Sequence, residues 1–139
     1  MVQLIVGKKG KGKTKQLLDK VNSEIKIVTG NVAYLDKSME HMYELNNKIR
    51  LIDVSDYMIE SPEEFIGFVS GIISQDHDLQ QMYFDSFLKI SCLTEADVEA
   101  VIAKLEKISQ SKSVDFVISI SMDEDELPES VKKNILVSL

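Results

Sequence analysis

The sequence predicts an α/β protein with a three-layer α/β/α arrangement and a mostly parallel sheet of five strands. Two observations support this fold class. Apolar runs of strand length alternate with segments of helical period along the chain, which is the pattern of parallel α/β sheets. In addition, a loop rich in glycine and lysine separates the first apolar run from the first helical segment. The length of 139 residues is that of one domain, so we expect residues 1–139 to form a single, undivided domain.

The N-terminal half is expected to supply three of the five strands. The first is the apolar run Val2–Val6, and a helix follows at Lys13–Glu24 with its leucines and its valine on one face. A Thr-Gly-Asn turn introduces the second strand at 32–35. Apolar residues within 38–47 suggest a short crossover helix that contributes a small core patch, and the run 49–54 gives the third strand.

Clear start signals mark the two long helices that are expected in the second half of the chain. Ser61 is a good N-cap, Pro62 suits the first helical position, and Glu64 completes a capping box. The apolar residues that follow recur with helical spacing and predict a helix that packs on the sheet. Thr94 and Asp97 mark the start of the second helix, which carries a similar apolar stripe.

Two further strands and a last helix complete the predicted order. The fourth strand is the apolar run 81–84, and the fifth, at 114–121, is the most hydrophobic of the set. The tail 126–139 is expected to form a final helix that begins near Pro128.

Composition excludes several classes of function. The net charge of −7 argues against non-specific nucleic-acid binding, which needs a broad basic face. Cys92 is the only cysteine, so neither an intrachain disulfide nor a cysteine zinc cluster is expected. No apolar stretch approaches the roughly 18 residues of a membrane span, and no signal-peptide pattern opens the sequence. We therefore expect a cytoplasmic protein.

The segment Gly7–Thr14 fits the phosphate-loop pattern G-x-x-x-x-G-K-[ST] at every fixed position. It follows an apolar strand and opens a helix, which is the structural context that the motif requires. The glycines allow backbone N–H groups to turn towards phosphate oxygens, and the helix N-terminus adds its positive dipole. The segment therefore predicts a P-loop NTPase fold that binds a nucleoside triphosphate. The residues expected to bind it are Gly7, Lys8, Lys9, Gly10, Lys11, Gly12, Lys13 and Thr14.

Within this loop, Lys13 is expected to reach the β- and γ-phosphates, which makes it the one candidate catalytic residue. The hydroxyl of Thr14 is expected to bind Mg²⁺. A P-loop also needs an acid at the end of a neighbouring strand to hold the ion through water. Asp36, Asp53 and Asp85 all end apolar runs. We favour Asp85, because the apolar residues Met82-Tyr83-Phe84 precede it and a buried helix separates it from the earlier strands.

The sequence has few of the residues that P-loop enzymes use to cleave the nucleotide. Many ATPases place a glutamate directly after the metal-binding aspartate, but Ser86 stands there. Arg50 is the only arginine, so an arginine finger would have to be Arg50 itself or come from a partner or a second copy in trans. The guanine motif N-K-x-D has only a near miss at 47–50, which leaves ATP as the expected nucleotide. Ser119 and Ser121 are either γ-phosphate sensors or ordinary polar residues at a strand end.

The loop, the Phe84-Asp85 strand end and the tail segment 125–133 together resemble a family of short P-loop proteins of Firmicutes bacteria. Members are often labelled ATP-binding or twitching-motility ATPase-like. The resemblance implies a cytoplasmic bacterial ATP-binding domain with a RecA-like or related P-loop fold. Secretion and twitching ATPases also carry a histidine box and several catalytic arginines, which this chain lacks. Only the nucleotide site is therefore carried over from the resemblance.

Three functions fit the sequence. The first is a weak or partner-activated ATPase, and the second is a regulatory module that binds nucleotide without hydrolysing it. The third, a small-molecule kinase, is disfavoured because a closing lid needs several arginines. The expected cofactors are ATP and Mg²⁺.

Overall fold

The computed structural model describes residues 1–139 and contains a single six-stranded sheet in the order β3-β2-β4-β5-β1-β6. Every neighbouring pair of strands is parallel. The strands are β1 Val2–Val6, β2 Asn31–Asp36, β3 Arg50–Asp53, β4 Leu79–Phe84, β5 Asp115–Ile120 and β6 Ile135–Ser138. The predicted fold class is confirmed, with six parallel strands in place of five.

Helices cover both faces of this sheet. They are α1 Lys13–Glu24, α2 Pro62–Ser74, α3 Phe87–Ile90, α4 Val98–Lys112 and α5 Glu129–Lys132. Side chains alternate between the faces along each strand: Leu4 and Val6 join a core of 26 buried residues on the side of α2 and α4. Ile5 joins a core of nine on the side of α1. None of the helices has both the length and the apolar character that a membrane-spanning helix requires.

The strongest local signals locate their elements correctly. Strand β1 and helix α1 have the predicted bounds. Helix α2 begins as expected, because the backbone N–H of Glu64 donates to Ser61 Oγ at 3.2 Å and Pro62 is the first helical residue. The carboxylate of Glu64 accepts from the backbone N–H of Glu60 at 2.6 Å, so the return bond of the capping box goes to the residue before the cap.

The prediction for the tail is wrong. The expected final helix is the single turn α5, and the chain then continues as β6, which pairs with the outer side of β1. The sixth strand has only four residues, and they alternate between partly buried and exposed. Such a short edge strand has no distinctive pattern, since its stability comes from the neighbouring strand.

The crossover helix expected within 38–47 is also absent. The segment contains one 3₁₀ turn at Met42–Glu44. Asn22 explains the difference: its amide donates to the carbonyl of Glu44 at 2.8 Å and its carbonyl accepts from the N–H of Asn46 at 2.8 Å. These bonds occupy backbone groups that a longer helix would need. Tyr43 is 91% exposed, so the expected core patch does not form here.

Parallel pairing brings the carboxyl ends of all the strands to one edge of the sheet. The glycine-rich loop follows β1 at this edge, and Asp85 follows β4. Strand β5 lies between β1 and β4. The acid therefore approaches the loop across one intervening strand, which contributes Ser119.

Candidate nucleotide-binding site

The loop after β1 has the backbone geometry of an anion cradle. Gly10 and Gly12 adopt φ values of +87° and +96°, which side chains with a Cβ rarely allow. Gly12 is the N-cap of α1, and no side chain caps this end of the helix. The first-turn N–H groups of α1 therefore have no side-chain acceptor and face the cleft with the positive end of the helix dipole.

Lys13 lies against the loop it follows. Its Nζ donates to the carbonyl oxygen of Lys8 at 3.1 Å, and the residue is only 8% exposed. Burial lowers the pKa of Lys13, while the charge of Asp85 opposes that shift. A poorly hydrated ammonium group gains more from an arriving phosphate than a fully hydrated one does.

Asp85 is the central acceptor of the site. Its Oδ1 accepts from Thr14 Oγ1 at 3.2 Å, from Ser119 Oγ at 3.0 Å and from the N–H of Ser86 at 2.9 Å. Its Oδ2 accepts from the hydroxyl of Tyr34 at 3.0 Å. Burial, followed by the charge of Asp85, raises the pKa of Tyr34, which keeps the phenol protonated as a donor. The carboxylate is thus fixed next to Thr14, the residue expected to bind Mg²⁺.

The register of the sheet explains why Asp85 lies next to Thr14 at the start of α1. Tyr34 and Tyr83 point to the face covered by α1, and Asp36 and Asp85 lie two residues further along the same strands. Side chains two residues apart share a face, so both acids point towards the N-terminal end of α1. Leu35 pairs with Phe84, which places Asp36 beside Asp85.

The three candidate acids form a row at the edge of the sheet. Asp53 is in register with Asp36 on the outer strand β3, and Asp85 lies on the other side of Asp36, nearest to the loop. The Oδ1 of Asp53 accepts from the N–H and the hydroxyl of Ser55, at 3.0 and 2.6 Å. Asp53 therefore caps a local turn, while Asp85 contacts Thr14 directly.

Asp36 is the least satisfied of the three acids. It is 1% exposed, its Oδ1 accepts from the N–H of Lys37 at 2.7 Å, and its Oδ2 has no hydrogen-bond partner. Burial, followed by the charge of Asp85, raises the pKa of Asp36 from 3.8 to about 6. Sequence reasoning treated Asp36 only as an alternative to Asp85, but the structure brings the two together.

We expect Asp36→Asn to stabilise the protein at neutral pH. A carboxyl group with a raised pKa costs no stability below about pH 4, where it is protonated in both states; the cost accumulates as the pH rises from about 4 to about 6 and stays constant above that. The shift corresponds to about 2–3 kcal/mol of unfolding free energy at pH 7.5. Denaturant unfolding in chelator should show the variant to be more stable at pH 7.5 and equal to wild type near pH 3.5. A variant less stable than wild type at pH 7.5 would contradict this account.

A polar cleft of about 390 Å³ lies above these groups. No hydrophobic residue lines it. The lining residues are Lys9, Gly10, Gly12, Lys13, Thr14, Lys37, Asp85, Ser86, Ser119 and Ser121. Ser86 holds a left-handed conformation with φ 54°, which aims its N–H at both Asp85 and Ser119. Lys37 and Ser86 are lining residues that sequence reasoning missed. A polar residue directly after an acid at a strand end was the available signal.

The other predicted loop residues have different surroundings. Gly7 is buried at the end of β1, and its N–H donates to the carbonyl of Met122 at 2.8 Å. Lys8 forms an ion pair with Glu126 of the acidic turn, and Lys11 is exposed outside the cleft lining. Ser119 is 1% exposed and holds Asp85, whereas Ser121 is exposed at the cleft.

Arg50 lies far from the cleft. It is the first residue of β3 and thus lies at the opposite edge of the sheet, roughly 10 Å of strand away from the end at Asp53. Its guanidinium pairs with Asp76 at 3.5 Å. Arg50 therefore does not serve the cleft of its own chain.

We expect Arg50→Ala to leave nucleotide affinity unchanged. Arg50 is half-exposed and its contact with the largely buried Asp76 carboxylate is long, at 3.5 Å, so we expect the loss of this ion pair to cost about 1 kcal/mol and the variant to stay folded. ATP affinity by calorimetry is the measurement, with the melting temperature as the control for folding. A clear loss of affinity in a variant that melts like the wild type would show that this arginine reaches a nucleotide, in its own chain or in a second copy.

Comparisons with known proteins support the fold. The chain is similar to the crystal structure of flagellar accessory protein FlaH from Methanocaldococcus jannaschii, with a TM-score of 0.58 and 17% sequence identity. The similarity covers 95% of this chain but 65% of the FlaH chain, so the chain spans less than two thirds of that protein's length. No protein-family model and no curated sequence matches the chain. The likeness shows a shared parallel α/β fold with flanking helices.

Proposed function

We propose that this chain binds ATP together with Mg²⁺ at the cleft beside Gly7–Thr14 and is a weak or partner-activated ATPase. One observation carries the proposal: Asp85, from a distant strand, contacts Thr14 at 3.2 Å directly beside an uncapped helix N-terminus. A hydroxyl and a carboxylate in this relation are the protein groups that P-loop enzymes use around Mg²⁺.

The residues have separate tasks in this proposal. The loop N–H groups and Lys13 bind the phosphate oxygens, and the hydroxyl of Thr14 supplies a hard oxygen donor of the kind that Mg²⁺ prefers. Asp85 already accepts three hydrogen bonds at Oδ1, so it fits a role as acceptor for a bound water better than direct ligation. Mg²⁺, when bound, neutralises charge on the β- and γ-phosphates.

Slow intrinsic hydrolysis follows from what surrounds the cleft. Ser86 follows Asp85 in place of a carboxylate, and Arg50 lies at the far edge of the sheet. A partner or a second copy that contributes an arginine would supply the missing charge. The alternative is a regulatory module that binds the nucleotide and hydrolyses little of it. The small-molecule kinase is least favoured, since the only arginine cannot form a closing lid.

We infer ATP in preference to GTP because no carboxylate stands where the guanine motif requires one. We infer a cytoplasmic location from the sequence alone. The similarity of the loop and the tail to the short P-loop proteins of Firmicutes suggests a bacterial origin.

Calorimetry with ATP and Mg²⁺, combined with phosphate release measured over hours, tests the proposal. We expect saturable binding with slow release of phosphate. Binding without any release would replace the ATPase by the regulatory module. Phosphate transfer to a metabolite mixture would support the kinase, and the absence of any nucleotide binding would contradict the proposal as a whole.

A further inference from the structure

We propose that Asp36, His41 and Asp85 form a second cation site, which binds a first-row transition dication such as Mn²⁺ or Zn²⁺ without nucleotide. Each residue offers one ligand atom, and these atoms all lie within 4.8 Å of one another. Two carboxylates and one imidazole are a ligand set that transition dications accept readily. The site uses the end of β2, the loop that follows it and the end of β4.

The unpartnered oxygen of Asp36 favours a bound cation at this place. Asp36 Oδ2 is the one buried side-chain oxygen or nitrogen in the chain without a hydrogen-bond partner, and the residue is 1% exposed. Hydrogen-bonding groups at such depth are almost always satisfied, and a buried carboxylate needs a counter-charge. A cation between Asp36 and Asp85 would supply a partner for this oxygen and separate two like charges.

The remaining contacts of the three residues also favour a bound cation. Metal ligands in proteins are usually held by hydrogen bonds from their non-ligating atoms. Here Asp36 Oδ1 accepts from the N–H of Lys37 at 2.7 Å. Asp85 Oδ1 accepts three hydrogen bonds, which leaves Asp85 Oδ2, with Tyr34 as its single donor at 3.0 Å, as the ligand atom. His41 Nδ1 lies 3.0 Å from Glu44 Oε1, which is the carboxylate–histidine arrangement found at metal sites. This contact leaves His41 Nε2 as the ligand atom.

The imidazole sets the choice of ion. Mg²⁺ prefers an all-oxygen shell, whereas Mn²⁺, Zn²⁺ and Co²⁺ also take imidazole. Glu40 Oε1 is 3.5 Å from His41 Nε2 and offers a further oxygen from the solvent side. The proposed Mg²⁺ position beside Thr14 faces Asp85 Oδ1 and has no histidine, so the two sites differ in ligand type.

The two histidines of the chain make the test direct. Chelator-treated, nucleotide-free protein labelled at histidine is titrated with Mn²⁺ below stoichiometry, and the imidazole resonances are recorded. We expect the His41 signals to broaden beyond detection while those of His77 stay sharp. His77 is exposed at the opposite edge of the sheet, between α2 and β4, and so acts as an internal control.

Zn²⁺ calorimetry with matched variants measures the affinity. All proteins carry Cys92→Ser, because Cys92 is a free exposed thiol. We expect one equivalent of Zn²⁺ in the wild-type background and in His77→Gln, and an affinity lower by about tenfold or more in His41→Gln and Asp36→Asn. His41 lies in a surface loop, so its variant should melt like the background protein.

Several results would overturn the site. They are equal broadening of both histidines, unchanged Zn²⁺ affinity in His41→Gln, and the absence of stoichiometric binding. Lys13→Ala separates this proposal from the nucleotide proposal, because it should retain the cation while losing ATP. Cation binding without ATP binding in the wild type would reject only the nucleotide proposal, and the converse would reject only the second cation site.

Discussion

Lys13→Ala is expected to lower the affinity for ATP and Mg²⁺ by about 100-fold. Lys13 is the first residue of α1, whose N-terminus has no side-chain cap, and the residue is only 8% exposed. A phosphate bound there would therefore interact with a charge that water screens poorly. Truncating one partner of a desolvated, hydrogen-bonded charge pair costs about 2–5 kcal/mol, and roughly 3 kcal/mol corresponds to that loss. Calorimetry at fixed Mg²⁺ is the measurement.

Lys15→Ala is the matched control for this experiment. Lys15 lies two residues further along α1, is well exposed, and pairs with Asp19 at 3.2 Å. It should bind ATP like the wild type, because an exposed pair of this kind contributes at most about 1 kcal/mol. If both variants lost affinity equally, the effect would be one of general positive charge. If Lys13→Ala bound normally, Lys13 would have no role in phosphate binding.

Asp85→Ala is expected to lower the free energy of unfolding by about 3–5 kcal/mol. The substitution leaves three hydroxyls and one backbone N–H without their shared acceptor. Each buried donor that loses its partner costs about 1–3 kcal/mol before the site relaxes. Entry of water into the cleft should reduce the sum. Denaturant unfolding measures the effect, with Asp53→Ala as the control, since Asp53 only caps a local turn and such caps are worth about 1 kcal/mol.

The conservative variant Asp85→Asn separates stability from metal binding. It should keep most of the fold, because an amide oxygen can still accept from Thr14 and Ser119. The increase in ATP affinity on adding Mg²⁺ should be lost in Asp85→Asn and retained in Asp53→Asn. The reverse result would assign the metal-binding acid to Asp53 and contradict the order of the acids along the sheet edge.

Asp36 and Asp85 show how neighbouring acids acquire opposite properties. Both end an apolar strand, both are buried, and both point to the α1 face. Asp85 has four donors, whereas Asp36 has one donor and an unpartnered oxygen. Removal of the Asp85 charge should therefore destabilise the protein, and removal of the Asp36 charge should stabilise it at neutral pH. The sequence around each acid is too similar to predict this difference, because the donors come from other strands and from α1.

Two errors in the prediction have a related origin. Strand β6 is short and half-exposed, so only its pairing with β1 makes it a strand. The segment 38–47 has enough apolar residues for a helix, but side-chain bonds from Asn22 on α1 hold it in a different conformation. In both places a contact with a distant part of the chain overrides the local pattern.

The sequence by itself determined the loop Gly7–Thr14, the bounds of β1 and α1, and the parallel α/β class. These features depend on residues that are close together along the chain: glycines that permit positive φ, an apolar run and a helical period. Only the tertiary structure decided which acid meets Thr14, that Asp36 stands beside it with an unpartnered oxygen, and that Arg50 is excluded. These outcomes depend on strand order and register, which place the ends of β2 and β4 under the start of α1 and the start of β3 at the opposite edge.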